Sequence, residues 1–229
     1  MRKNDVIYYN LYQALSEKAC PVCQCKDQAV GSYLDNLLYE FVNDYRTRDR
    51  LRETRGFCYD HSWALQRMGD PLGQSIIYAD LIDYLIPSIE KGELDKKKTL
   101  LGKNNKCLVC IQEQETEKRY LRGLLACLRD RDFREKYHSS VGLCLPHYEL
   151  AYQQVSNNNI QAVLREVQIN SLTKLTAELK EFIRKSDYRF AGELPGEERD
   201  AWIRAVGLWV GSFNTKKQQQ SILKQKETD

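Results

Sequence analysis

The chain has 229 residues, 42% of them hydrophobic, enough to bury a core as one substantial domain or two small lobes. Lys and Arg number 35 against 32 Asp and Glu, and the resulting formal charge of +3 is too small to indicate nucleic-acid binding by itself. No apolar run reaches the roughly 18 residues of a membrane span, and Met1 to Asn10 lack the apolar centre of a signal peptide, so a cytoplasmic protein with no membrane partner is expected.

In chain order, Val6 to Lys18 has the spacing of a short amphipathic helix. Cys20 and Cys23 follow as a Cys-x-x-Cys pair, and a helical pattern then extends to about Tyr45. The basic stretch of Arg46, Arg48, Arg50, Arg52 and Arg55 is interleaved with Asp44, Asp49 and Glu53. That alternation reads as an ion-paired, solvated face rather than a nucleic-acid arm. Cys58 and His61 form a Gly-x-Cys-x-x-His motif that should open another helix, and the turn at Gly69-Asp70-Pro71 opens a third. Ile77, Leu81, Tyr84 and Leu85 line one face of that helix, with Pro87 expected to end it. Gly92 to Lys106 reads as a polar linker.

The same order then recurs. Cys107 and Cys110 lie 87 positions after Cys20 and Cys23, and Cys144 and His147 lie 86 after Cys58 and His61. Tyr33, Leu34, Leu37 and Leu38 fall on Tyr120, Leu121, Leu124 and Leu125, which extends the match to a helical stripe. After the Asn157-Asn158-Asn159 turn, Ile160, Leu164, Val167, Leu172, Leu175, Leu179 and Phe182 sustain helical spacing for about seven turns, the longest helix expected. Beyond Ser186, Pro195-Gly196-Glu197-Glu198 starts a helix whose Trp202, Ile203, Val206 and Trp209 stripe is expected to cover a hydrophobic seam. The expected fold is all-α, with lobes at 1–91 and 107–186 joined by a linker at 92–106, and a C-terminal helix and polar tail at 187–229.

Cys-x-x-Cys with a distant Cys-x-x-His is the spacing of a tetrahedral metal site. Cys20, Cys23, Cys58 and His61 are expected to hold one zinc ion in the first lobe, and Cys107, Cys110, Cys144 and His147 a second in the other. An iron–sulfur cluster is the alternative cofactor. Pro146 fixes the second Cys-x-x-His at a helix N-terminus, where free N–H groups should favour the cysteine thiolate. Gly56 and Gly142, two positions before the third cysteine, are candidates for positive φ. Four protein ligands leave no open coordination position, and no phosphate loop, nucleophile elbow or His-Glu-x-x-His pattern occurs, so no catalytic residue is expected. His138, the remaining histidine, aligns with Arg52 and is expected on the surface. Cys25 and Cys127 lack counterparts in the other copy; Cys25 could act as a resolving thiol in a zinc-thiolate redox switch.

These motifs, with Leu38-Tyr39-Glu40, Asn43-Asp44 and the Asp187-Tyr188-Arg189-Phe190 segment, resemble an uncharacterised bacterial family of unknown function over nearly the whole chain. The resemblance implies a bacterial cytoplasmic origin and the paired-site layout, and brings no activity or partner. The expected role is a non-enzymatic interaction or regulatory module with an unidentified protein partner. A redox-active protein is the second reading and a nucleic-acid binder the third.

Overall fold

A computed structural model describes residues 5–92, 107–190 and 192–211. The linker, apart from its first residue, and the polar tail lie outside the described residues. Among those described, the chain is all-α: ten α-helices, two short 3-10 turns and no strand. Helix α1 spans Val6–Ala14, and four helices of the first copy follow: α2 (Pro21–Tyr39), α3 (Tyr45–Thr54), α4 (Tyr59–Arg67) and α5 (Pro71–Glu90). The second copy has the same order in α6 (Leu108–Cys127), α7 (Arg131–His138), α8 (Leu145–Gln154) and α9 (Asn158–Lys185). The 3-10 turns at Tyr188–Phe190 and Glu197–Asp200 lead into α10 (Ala201–Val210).

Local chemistry sets most of these boundaries. The Asp44 carboxylate accepts from the Thr47 N–H and that of Asp130 from the Phe133 N–H, so aligned aspartates cap α3 and α7. Each cap starts a helix in the charged return segment, which the sequence pattern had left without one, and α2 therefore stops at Tyr39 rather than near Tyr45. In α3, Arg52 donates to Asp80 at 2.9 Å, in keeping with an ion-paired face. Asp70 caps α5 through the Gly73 N–H, and Asn157 caps α9 through the N–H groups of Asn159 and Ile160. Pro87 does not end α5, which continues to Glu90. Only the last turn lies beyond it, and the one backbone bond that proline removes falls at exposed Asp83, whose carbonyl water can satisfy.

The chain divides into two compact units that are not the two contiguous lobes expected from the repeat. One unit combines Met1–Asp27 with Glu117–Asp229; the other is Gln28–Thr116. The described part of the C-terminal segment, 187–190 and 192–211, is thus part of the first unit rather than a separate piece. In the first unit the core joins Tyr8 and Leu11 of α1 to Leu121 and Leu124 of α6, Phe133 and Tyr137 of α7, and Leu164 of α9. In the second, Leu34, Leu37 and Leu38 of α2 pack with Leu51, Leu65 and Ile77.

Both α2 and α6 therefore begin in one unit and finish in the other. Helix length is the physical reason. An outbound helix of 19 or 20 residues advances about 29 Å, whereas the return helix of 10 or 8 residues recovers only about 12–15 Å. Each copy's Cys-x-x-His and Cys-x-x-Cys thus belong to different units.

Phe133 is fully buried, with the Tyr8 and Tyr12 rings 5.3 and 6.2 Å from its own. Phe133→Ala should destabilise the first unit by about 3–5 kcal/mol, read as a lower denaturation midpoint. A loss below about 1 kcal/mol would show that this aromatic cluster does not hold the unit together.

Candidate metal centres

All eight expected ligands gather into two buried Cys3His clusters, but the pairing differs from the expectation. Cys20 and Cys23 join Cys144 and His147, while Cys58 and His61 join Cys107 and Cys110. The ligand sets are exchanged between copies: each Cys-x-x-Cys meets the Cys-x-x-His of the other. The first cluster lies wholly within the unit formed by the chain ends, and the second wholly within residues 28–116.

Helix starts present every ligand. Cys58 and Cys144 are the N-cap residues of α4 and α8, which places His61 and His147 in the first turn. Pro146 sits in that turn of α8 as expected. Gly56 and Gly142 adopt φ of 81° and 71°, the left-handed conformation that turns each return segment into its helix. At Gly142 a Cβ would also meet Gln168 and Val167 at 3.3 Å. Buried Gln168 clamps this turn, accepting from the Leu143 N–H at 3.3 Å and donating to the Leu143 carbonyl at 3.0 Å. Its position inside a long helical pattern gave no sign of that role.

In the first cluster, His147 Nδ1 lies 3.4, 3.3 and 3.1 Å from the sulfurs of Cys20, Cys23 and Cys144, and Cys23 Sγ lies 3.7 Å from Cys144 Sγ. In the second, His61 Nδ1 lies 3.2, 3.7 and 3.3 Å from Cys58, Cys107 and Cys110, with 3.6 Å between Cys58 and Cys110. A tetrahedron with metal–sulfur bonds of about 2.3 Å and a metal–nitrogen bond of about 2.0 Å has sulfur–sulfur edges of about 3.8 Å and sulfur–nitrogen edges of about 3.5 Å. Both clusters have the dimensions of a single four-coordinate ion, and their residues fit one.

A carboxylate backs each imidazole. His147 Nε2 is 2.8 Å from Glu117 Oε1, and His61 Nε2 is 3.6 Å from Glu113 Oε2. An Nε2–H directed at the acid leaves the Nδ1 lone pair facing the thiols, the arrangement that orients a metal-bound histidine. Neither acid was singled out from sequence. Their one legible signal is the i, i+3, i+7 series Cys110, Glu113, Glu117 on one face of α6.

The buried thiols of each cluster perturb one another. Burial pushes the Cys20 thiol up, while hydrogen bonds from Cys144 and Cys20 hold Cys23 far below the ordinary thiol range. Burial opposes ionisation of Cys107, but His61 and the backbone N–H groups of Cys58, Cys110 and Val109 outweigh it and bring it to about 7. Burial disfavours a charged His147; its hydrogen bonds with Cys144, Cys23 and Glu117 nonetheless raise its pKa. At Cys58 burial raises the thiol, outweighing the lowering hydrogen bond from the His61 backbone N–H at the helix start. Cys25 and Cys127 stand outside both clusters, each buried and pushed up to about 12 by that burial. His138 is exposed, 3.9 Å from Glu166.

The profile of the Family of unknown function (DUF6062) matches residues 3–216. The chain belongs to that family. A curated relative, the "Uncharacterized 23.9 kDa protein in xynA 3'region" of Caldicellulosiruptor sp. (strain Rt8B.4), is 29% identical over 204 residues, covering 88% of this chain and 100% of its own length. No solved structure matches the chain. Among the described residues of this family member, no helix is long and apolar enough to cross a membrane.

Exchanged ligation gives a stoichiometric test. Cys20→Ser combined with Cys144→Ser should lose one metal equivalent and keep the other, whereas Cys20→Ser with Cys58→Ser should lose both. Ligation within each copy would reverse these results in elemental analysis of the purified variants. Glu117→Gln should weaken metal retention at the first centre by about 10–100-fold in chelator competition, with the second centre unchanged.

Proposed function

We propose that this protein is a non-enzymatic zinc protein in which two structural Cys3His ions fasten the two helical units, and that it serves as an interaction or regulatory module of the cytoplasm. The observation that carries the reading is the ligand spacing. Eight side chains converge in two sets whose contacts of 3.1 to 3.7 Å suit one tetrahedral ion each. Three thiolates and one imidazole are a common zinc donor set. A polynuclear cluster would interpose several irons and spread its ligands further than the 4.8 Å limit within which these atoms lie. Four protein ligands per ion leave no position for water or substrate, which supports fastening over catalysis.

An interaction role is supported by the surface of the second unit. Tyr59 and Trp63 project from α4 with 77% and 50% of their surface exposed and their rings 6.4 Å apart. Large aromatics are enriched where proteins meet partners.

Freshly purified protein should be colourless and carry two zinc ions per chain. Stripping the metal with a chelator should lower the melting temperature sharply, because such an ion contributes on the order of 10 kcal/mol of apparent folding free energy. Iron with visible absorption, or unchanged melting after complete metal removal, would overturn the proposal.

A further inference from the structure

A cavity of about 710 Å³ opens in the first unit, within the roughly 300–1,000 Å³ range of small-molecule sites. Its lining is mainly apolar and includes Trp202, Ile203, Val206 and Val210 of α10, Leu175 of α9, and Val141. Cys20 and Cys144 of the first metal centre also line it. The α10 stripe does not cover a seam as the sequence pattern suggests. Only Ala201 of that helix is buried, and Trp202, Val206 and Val210 remain 38%, 60% and 66% exposed. Three of the cavity's apolar side chains are thus still presented to solvent.

The charges around the cavity decide what it can take. Arg204 pairs with Glu178 at 2.6 Å and Asp200 at 2.7 Å, and donates to the Glu197 carbonyl at 2.8 Å. Lys174 lies 3.9 Å from Glu178, Lys18 2.5 Å from Glu197, and His138 3.9 Å from Glu166. Each cationic lining group therefore already faces an acid. The hydroxyls of Ser139, Ser140 and Ser171 donate to the backbone carbonyls of Glu135, Tyr137 and Val141. An anionic ligand would have to break an ion pair to gain a cationic partner, and a cationic ligand would meet carboxylates already neutralised. An uncharged apolar body breaks no ion pair on entry.

We propose that this cavity is a binding site for a neutral, predominantly apolar small molecule, seated between α9 and α10 beside the first metal centre. The site does not depend on the identity of the metal. Its occupant touches the unit through α10, whose remaining exposed residue Trp209 is outside the lining and serves as an internal control.

Full-length, metal-loaded protein should be titrated with N-phenyl-1-naphthylamine, a neutral fluorescent dye, and with its anionic relative 8-anilinonaphthalene-1-sulfonate. The expected result is saturable binding of a single neutral dye per chain, tighter than the anionic one. Val206→Lys should weaken the neutral dye about tenfold or more by placing a charge in the apolar wall, and Val206→Met should retain it. Trp209→Lys should leave affinity within about twofold. Metal content and helical circular dichroism, which a ligand-site change leaves alone, should match wild type in all three variants; a variant that fails this check is replaced by Val210→Lys. Absence of saturable binding, preference for the anionic dye, or equal weakening by Val206→Lys and Trp209→Lys would overturn the proposal.

Discussion

The rest of this structure depends on the exchanged ligation of two Cys3His centres. A metal-sized cluster can form only where two helix starts converge, one carrying Cys-x-x-Cys and the other Cys-x-x-His. In each copy, the Cys-x-x-Cys and the Cys-x-x-His fall in different compact units. Each half-site must find its complement in the other copy. The repeat is therefore not two independent lobes but two halves that complete each other's sites.

This exchange has unequal consequences for the two units. The second centre joins residues 46 to 52 positions apart, whereas the first joins residues 121 to 127 apart. Loop-closure entropy rises slowly with length, so the longer span costs only about 1 kcal/mol more, a small penalty beside a metal–ligand set. Kinetically the difference matters more, since long-range contacts form late. The unit built from both chain ends can assemble only after residues beyond 147 exist, while residues 28–116 hold their own centre complete. The centres also differ in support: the Glu117 contact with His147 is at hydrogen-bond distance, and that of Glu113 with His61 is longer.

Helix α10 shows a different departure from simple core packing. Its Trp202, Ile203, Val206 and Trp209 spacing is that of a buried stripe, yet the helix buries only Ala201. Ion pairs around Arg204, Glu178 and Asp200 fix the start of the helix, and Gly211 at its end, with φ 96°, lies close to the Cys23 and Cys144 sulfurs. With both ends held in this way, its apolar side chains line a cavity rather than closing against α9.

The sequence by itself determined the helical class, the eight side chains that gather into clusters, the turns at Asp70 and Asn157 that precede α5 and α9, the positive-φ glycines, and the placement of Cys-x-x-His at helix starts. Each of these depends on residues within a few positions of one another: a carboxylate reaching an N–H three residues ahead, a proline confined to a first turn, a glycine free of a Cβ clash. Only the tertiary structure decided which Cys-x-x-Cys meets which Cys-x-x-His, that the compact units cut across the repeat, that Glu117 and Gln168 support the first centre, and that the α10 stripe stays open. Spacing gives identical ligand lists for either pairing, and hydrophobic periodicity gives the same stripe for a buried or an exposed helix. What distinguishes the alternatives is how far each helix carries the chain before the next begins, a length that becomes decisive only when all the helices are packed at once.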